Sequence, residues 1–283
     1  MNHIVGRCDL LLVTLDTLRF DVATRLWREG RTPELARRLP PGGWEERHTP
    51  GSFTYAAHAA FFAGFLPTPA RSHLARSAPH SGEAPPLLAR PGRDPRLFAL
   101  RFEGSETTAA DTCVLDGPDI VSGLAARGYH TACIGGVGFF NKQNALGRAL
   151  PGLFSESHWS PALGVTDPDS TENQVQLALQ LLQRLPPDQR LFLFLNVSAL
   201  HQPNRFYLDG CEADCLASHA AALQYVDARL APLFDALQQR GPTFCIVLSD
   251  HGTAYGEDGF TGHRLAHPVV WTVPYAHFML ERR

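Results

Sequence analysis

Leu10-Leu11-Leu12-Val13-Thr14-Leu15-Asp16 and Phe244-Cys245-Ile246-Val247-Leu248-Ser249-Asp250-His251-Gly252 are the two stretches that decide the fold. Each is an apolar run of strand length that stops abruptly at a carboxylate. Runs of this kind belong to strands buried on both faces, as in a parallel sheet covered by helices. In open α/β folds, ligands gather outside the carboxyl ends of the strands. Asp16 and Asp250-His251 therefore mark two strand ends that can meet at one metal ion.

Working outward, strand patterns alternate with helix patterns. Helices are expected over 21–29, 54–65, 119–127, 171–185 and 218–239, and further strands over 129–134, 191–197 and 269–280. Ser52 or Thr54 can cap the second helix, and Thr171 or Asn173 the fourth. Gly128, Pro186-Pro187 and Gly241-Pro242 supply the stops. The alternation predicts one α/β domain over 1–283, with a mostly parallel central sheet and helices on both faces. The exception is a Pro- and Arg-rich insertion at about 67–97, with His73, His80, Arg71, Arg76, Arg90 and Arg93. A loop this long in a compact domain is either functional, here a cationic lid, or a solvated surface excursion.

Composition narrows the class. A chain of 283 residues, 44% hydrophobic and 19% charged, can bury a substantial core. A net charge of −3 argues against a nucleic-acid partner. No apolar stretch reaches the roughly 20 residues of a membrane span, and the first strand is too short and too soon charged for a signal peptide. A cytoplasmic location is the resulting expectation. Of the six cysteines, Cys133 and Cys245 fall in expected buried strands, whereas Cys211 and Cys215 lie in an acidic loop at a spacing that suits zinc poorly.

A carboxylate at a strand end is an oxygen ligand for a divalent cation, though Asp16 alone reads more simply as a helix cap. Asp250-His251 joins an oxygen to an imidazole, which suits zinc, manganese or iron better than calcium. Thr49-Pro50-Gly51-Ser52-Phe53-Thr54-Tyr55-Ala56-Ala57-His58 places a hydroxyl just before an alanine-rich helix. A helix N-terminus stabilises an anion, so Thr54 beside a metal is a candidate nucleophile; a plain N-cap is the simpler reading.

Together these motifs resemble the sulfatase-like branch of the alkaline phosphatase superfamily, in order and over nearly the full length. Residues 12–21 resemble its opening strand with a metal-binding Asp. Residues 54–64 resemble the nucleophile helix, Gly128-Tyr129-His130-Thr131-Ala132-Cys133-Ile134-Gly135 the Gly-Tyr-x-Thr-Ala strand, and Ser249-Asp250-His251-Gly252 with Gly262-His263 and Val273-Pro274 the C-terminal metal motif. The resemblance implies an alkaline phosphatase-like core, with Asp16, Thr54, Asp250 and His251 holding a divalent ion, zinc or manganese before calcium or magnesium.

The departures redirect the chemistry. Sulfatases carry Cys or Ser in Cys/Ser-x-Pro-x-Arg, oxidised to formylglycine. Here the segment is Thr54-Tyr55-Ala56-Ala57-His58, and threonine cannot give that aldehyde. The family lysine after the Gly-Tyr-x-Thr strand is Gly136. Two-metal relatives place a second ion on Asp-x-x-x-His; here His201 is present but Val197 replaces the acid. One ion is therefore expected, with His201 and His263 contacting the substrate or protonating the leaving group. His58, Asn141 and Lys142 are candidate substrate-anion contacts. The expectation is a hydrolase or transferase acting on a small phosphate ester through a phospho-threonine. The alternatives are a sulfuryl-ester hydrolase without formylglycine, and a non-catalytic, metal-stabilised anion-binding protein.

Overall fold

The computed structural model describes residues 3–64, 96–99, 113–116 and 118–282. Its first half runs β1 (Asp9–Leu15), α1 (Phe20–Arg28), α2 (Pro33–Ala36), β2 (Glu45–His48), α3 (Thr54–Ala63), β3 (Arg96–Ala99), β4 (Cys113–Asp116), α4 (Ile120–Ala125), β5 (His130–Ile134) and α5 (Ala145–Ala149). Then follow β6 (Glu156–His158), α6 (Ser170–Arg184), β7 (Leu191–Val197), α7 (Leu216–Arg240), β8 (Thr243–Leu248), β9 (Ala254–Tyr255), β10 (Thr261–Gly262), α8 (Pro268–Trp271) and β11 (Thr272–Leu280).

The main sheet among the described residues has seven strands in the order β2-β11-β8-β1-β7-β5-β6. From β8 to β6 every pairing is parallel, and β11 and β2 add an antiparallel edge. The fold is thus a mixed α/β architecture with a mostly parallel central sheet. The expected strand over 269–280 is α8 followed by β11: His267 accepts from Val269 N–H and caps a short turn before the chain extends. The Pro- and Arg-rich segment lies outside the described residues up to 95, while Arg96 and Leu97, placed in it from the sequence, belong to β3.

The period-2 geometry of the buried strands sorts side chains by type. In β7, Leu191, Leu193, Leu195 and Val197 join one core with α1, α2, α6 and α7, while Phe192 and Phe194 join a second core with α3, α4 and α5. In β1, Leu11, Val13 and Leu15 face the first core and Leu10 the second. The even-numbered positions therefore look towards α3. Thr14 and Asn196, the polar members of that row, are Cα partners in the β1–β7 register and are fully buried.

The same register builds the site. Thr14 pairs with Leu248 across β1 and β8. Two residues further along each strand stand Asp16 and Asp250, so parallel pairing alone brings the two carboxylates to one end of the sheet.

The second core is an aromatic cluster. The Phe194 ring lies 5.2 Å from Phe62, 5.4 Å from Phe140 and 5.8 Å from Phe154, between centroids. Because every neighbour is itself buried and locked, the space cannot collapse on truncation. Phe194→Ala is expected to lower unfolding free energy by about 3–5 kcal/mol, read by chemical denaturation.

Candidate metal and nucleophile site

Asp16, Asp250 and His251 are completely buried, and their ligand atoms lie within 4.8 Å of one another. One oxygen of each carboxylate is committed to the protein. Asp16 Oδ2 accepts from Asn196 Nδ2 at 3.0 Å. Asp250 Oδ1 accepts from the backbone N–H of Thr17 at 3.2 Å and of His251 at 3.0 Å. The other two, Asp16 Oδ1 and Asp250 Oδ2, are buried without a hydrogen-bond partner. They stand 4.0 and 3.5 Å from His251 Nε2.

The imidazole is prepared in the same way. His251 Nδ1–H donates to the Gly252 carbonyl at 2.9 Å, which turns the Nε2 lone pair towards the two free oxygens. Three electron-rich atoms converge in one fully buried space. Orphaned buried acceptors of this kind are costly unless a cation is shared between them. The donor set suits a divalent ion, and the 3.5 and 4.0 Å separations from His251 Nε2 stand near the roughly 3.3–3.6 Å between ligands about 2.0–2.2 Å from a tetrahedral centre.

Thr54 closes the group. Its Oγ1 is 3.3 Å from His251 Nε2 and 3.4 Å from Asp16 Oδ2. The N-cap of α3 is Phe53, and no side chain caps the helix. Neither Ser52 nor Thr54 plays the capping role expected of it; Thr54 is the first helical residue, and its hydroxyl turns to the acids instead. Similarly, Asp169 stands at the N-cap of α6, without a side-chain bond, so Thr171 and Asn173 are not its caps.

Thr17 holds Asp250 in a left-handed conformation, with φ 65°, unfavourable for a β-branched residue. Its hydroxyl donates to the Leu200 carbonyl at 3.0 Å, so both of its donors pin the turn after β1. Gly252 is required by contact: a Cβ there would stand 1.9 Å from the Val269 carbonyl oxygen.

His201 and His263 lie on the open side of the cluster. The His263 ring is 4.6 Å from that of His251 and 5.3 Å from that of His201. Burial, then the neighbouring imidazoles, holds His263 well below the usual histidine range. His267 is elsewhere, paired with Asp258 at 3.1 Å.

One expected substrate contact, His58, is corrected, and the other two, Asn141 and Lys142, make local bonds. His58 is fully buried under the site, edge-on to Phe61, Phe140 and Phe194. Its Nδ1–H donates to the Thr54 carbonyl at 2.7 Å, and its Nε2 accepts from the Thr14 hydroxyl at 3.0 Å. Burial lowers its pKa to about 3, so it serves as a neutral strut beneath Thr54. Asn141 Oδ1 accepts from Gln143 N–H at 2.9 Å, and Lys142 Nζ donates to the Ser157 carbonyl at 3.1 Å. Both serve their own turn and β6, and neither bond reaches the acids.

Two residues of the site went unassigned in the sequence. Asn196 donates to Asp16 and to Thr14 (3.2 Å), and its Oδ1 accepts from the N–H of Gly136 and Val137 at 3.2 and 3.0 Å. It locks β1 to the loop after β5, and Gly136 stands where a Cβ would meet the Asn196 carbonyl at 2.5 Å. The signal was present: Asn196 is the one polar residue in an otherwise apolar strand. Arg264 donates its backbone N–H to the Ser52 carbonyl at 2.9 Å and lays its guanidinium 4.7 Å from the Phe53 ring centre. It brings positive charge beside α3, a placement that no motif announces.

Burial is the first cause that raises both acids, Asp16 to about 6 and Asp250 to about 7; the negative charge of Asp250 is the next cause for Asp16. Burial likewise lowers His251 to about 4, leaving the imidazole neutral. In the metal-free protein the acids thus keep protons up to pH 6–7, and a divalent ion must displace them. Zinc or manganese affinity is expected to rise with pH from about 5 to 7 and to level off above about 8. Calorimetry in buffers of different ionisation enthalpy should show proton release that shrinks over the same window. Constant affinity across it would contradict these carboxylates as ligands.

Known proteins share this fold. Among solved structures, the C-terminal periplasmic domain of phosphoethanolamine transferase EptC from Campylobacter jejuni superposes with a TM-score of 0.58 at 14% identity, over 96% of this chain and 79% of that one. The zinc complex of the corresponding EptC domain from Escherichia coli gives 0.61 at 14% identity, over 98% and 75%. Lipoteichoic acid synthase LtaP from Listeria monocytogenes gives 0.58 at 14%, over 96% of this chain but only 65% of its own. At this identity the likeness establishes a shared fold. No curated protein matches the sequence. The Sulfatase family model matches residues 115–275, more than half of the chain and including Asn196, His201, Asp250, His251 and His263. The chain belongs to the sulfatase family.

Proposed function

We propose that this protein is a metal-dependent phosphate-ester hydrolase or transferase in which Thr54 is the nucleophile. The observation that carries the reading is the position of the Thr54 hydroxyl, buried at the start of α3 and 3.3–3.4 Å from groups of Asp16 and His251. A hydroxyl serving only the helix would turn to the backbone.

Asp16, Asp250 and His251 would hold one divalent ion, zinc or manganese by their mixed oxygen and nitrogen donors. When bound, the ion supplies Lewis acidity, which lowers the pKa of a neighbouring hydroxyl and draws charge from phosphoryl oxygens. Thr54 Oγ attacks phosphorus in line, the bond to the leaving oxygen breaks, and Asp16 Oδ2 stands in reach of the hydroxyl proton. The first-turn N–H groups of α3 face the charge that develops on the equatorial oxygens. His201 and His263 hold the phosphoryl oxygens or the leaving group. Water or an acceptor alcohol then releases the phospho-threonine.

A single ion is proposed because Val197, where two-metal relatives place an acid, is fully buried in β7 opposite Leu15. Phosphate is preferred to sulfate because Thr54 replaces the formylglycine precursor. The names of the neighbours, two phosphoethanolamine transferases and a lipoteichoic acid synthase, support a phosphate ester and keep transfer to an alcohol alongside hydrolysis. The second reading, sulfuryl-ester hydrolysis, rests on the family match itself.

Thr54→Ala should keep metal affinity and lose roughly a thousand-fold or more in turnover, with Thr54→Ser retaining part of it. Steady-state rates and metal content check both; full activity in Thr54→Ala removes this residue from the mechanism. On aryl phosphate monoester, phosphodiester and sulfate substrates, the phosphate esters should turn over faster. Preferential sulfate turnover would select the second reading, and ligand stabilisation without turnover on any of them would select a binding protein.

A further inference from the structure

A pair of thiols in the loop between β7 and α7 stands apart from the metal site. Cys215 is the N-cap of α7, a helix of 25 residues. Its Sγ accepts from Ser218 N–H at 3.5 Å, and its own N–H donates to Ser218 Oγ at 2.9 Å. Cys211 Sγ lies 3.6 Å from Cys215 Sγ, and its S–H donates to the Ala213 carbonyl at 3.0 Å. Both are partly exposed, whereas Cys8, Cys133 and Cys245 are buried.

A metal is the first alternative for such a pair. Among the described residues, the group of three metal-ligating side chains is Asp16, Asp250 and His251, and no third ligand joins the two sulfurs. Asp214 spends Oδ1 on the backbone N–H groups of Asn204 (2.7 Å) and Arg205 (2.8 Å). Two sulfurs in contact, accessible and without a metal's complement of ligands, suit covalent chemistry better. The Ser218 N–H bond, the largest influence on the Cys215 thiol, lowers its pKa and favours the thiolate.

We propose that Cys211 and Cys215 form a redox-active dithiol that closes to a disulfide by exchange with a low-molecular-weight disulfide. The Cys215 thiolate attacks one sulfur of the external disulfide, whose S–S bond breaks and expels one thiolate. Cys211 then loses its proton to solvent and attacks the Cys215 sulfur of the mixed disulfide, expelling the second thiolate. The two cysteines lose two electrons and two protons; the external disulfide gains both and becomes two thiols.

The pair is wired to the loop that bears His201. Ser218 Oγ donates to Asn204 Oδ1 at 2.6 Å, and Asn204 Nδ2 donates to the Leu200 carbonyl at 2.9 Å and to Tyr255 Oη at 2.8 Å. Closing the disulfide therefore fastens the base of a loop that ends beside the imidazole cluster.

The test incubates the full chain with glutathione disulfide, quenches in acid, alkylates and maps peptides by mass spectrometry. A peptide linking Cys211 to Cys215, reversed by dithiothreitol, is expected. Cys211→Ser should trap a glutathione adduct on Cys215. Cys215→Ser keeps a good helix cap and should acquire an adduct on Cys211 at least ten times more slowly. Two cysteines that remain fully alkylatable in excess glutathione disulfide, or that link to other cysteines instead, would overturn the proposal. Equal adduct rates in the two variants would overturn the order of attack.

Discussion

Two buried carboxylates facing the lone pair of one imidazole are the constraint around which this structure is organised. Their mutual repulsion is built into the sheet, because β1 and β8 are parallel neighbours and their register sets Asp16 opposite Asp250. Hydrogen bonds relieve it only in part: each acid gives one oxygen to fixed donors, and the other has no hydrogen-bond partner. Asn196, Thr17 and Gly252 each hold a member of this group in place, and His58 holds Thr54 beside it. The fold spends stability to keep the site, a common pattern where chemistry is intended.

Parts of this were legible in the sequence because they depend on local rules. The strand of β7 and the helices α1, α6 and α7 follow from apolar period and stop signals. Asp16 and Asp250-His251 stand out because a carboxylate at the end of an apolar run has no local reason to be there. Parallel pairing of the strands that bear them then follows from burial on both faces.

Other parts depend on partners that spacing does not reveal. His58 reads as a substrate-anion contact in the place of a family arginine. It is instead drawn into the core, because the Phe residues of β7 and the loop after β5 arrive from more than seventy residues away. Thr54 reads by its local position as a cap and by the motif as a nucleophile, and the arrival of Asp16 and His251 supplies the attraction that competes with capping. The short strands β2 and β6 carry charged and polar residues with no clear alternation, so they exist only as edges recruited by neighbours. The turn into β11 is hidden in the same way, since Pro268 and His267 cap a helix inside an apolar run.

The β1–β8 register also governs how the protein can be made. Thr17 and Asp250 are 233 residues apart, yet their bond belongs to the centre of the sheet. Closing so long a loop costs entropy before any long-range contact repays it. A growing chain that has emitted β1 and β7 but not β8 owns one of the three candidate metal ligands, Asp16. The ion is then a ligand only of the completed sheet, and its binding free energy accrues to the native state alone. Under the proposed function, metal supply acts on maturation as well as on chemistry, as a lock that engages when the last parallel strand is laid in place.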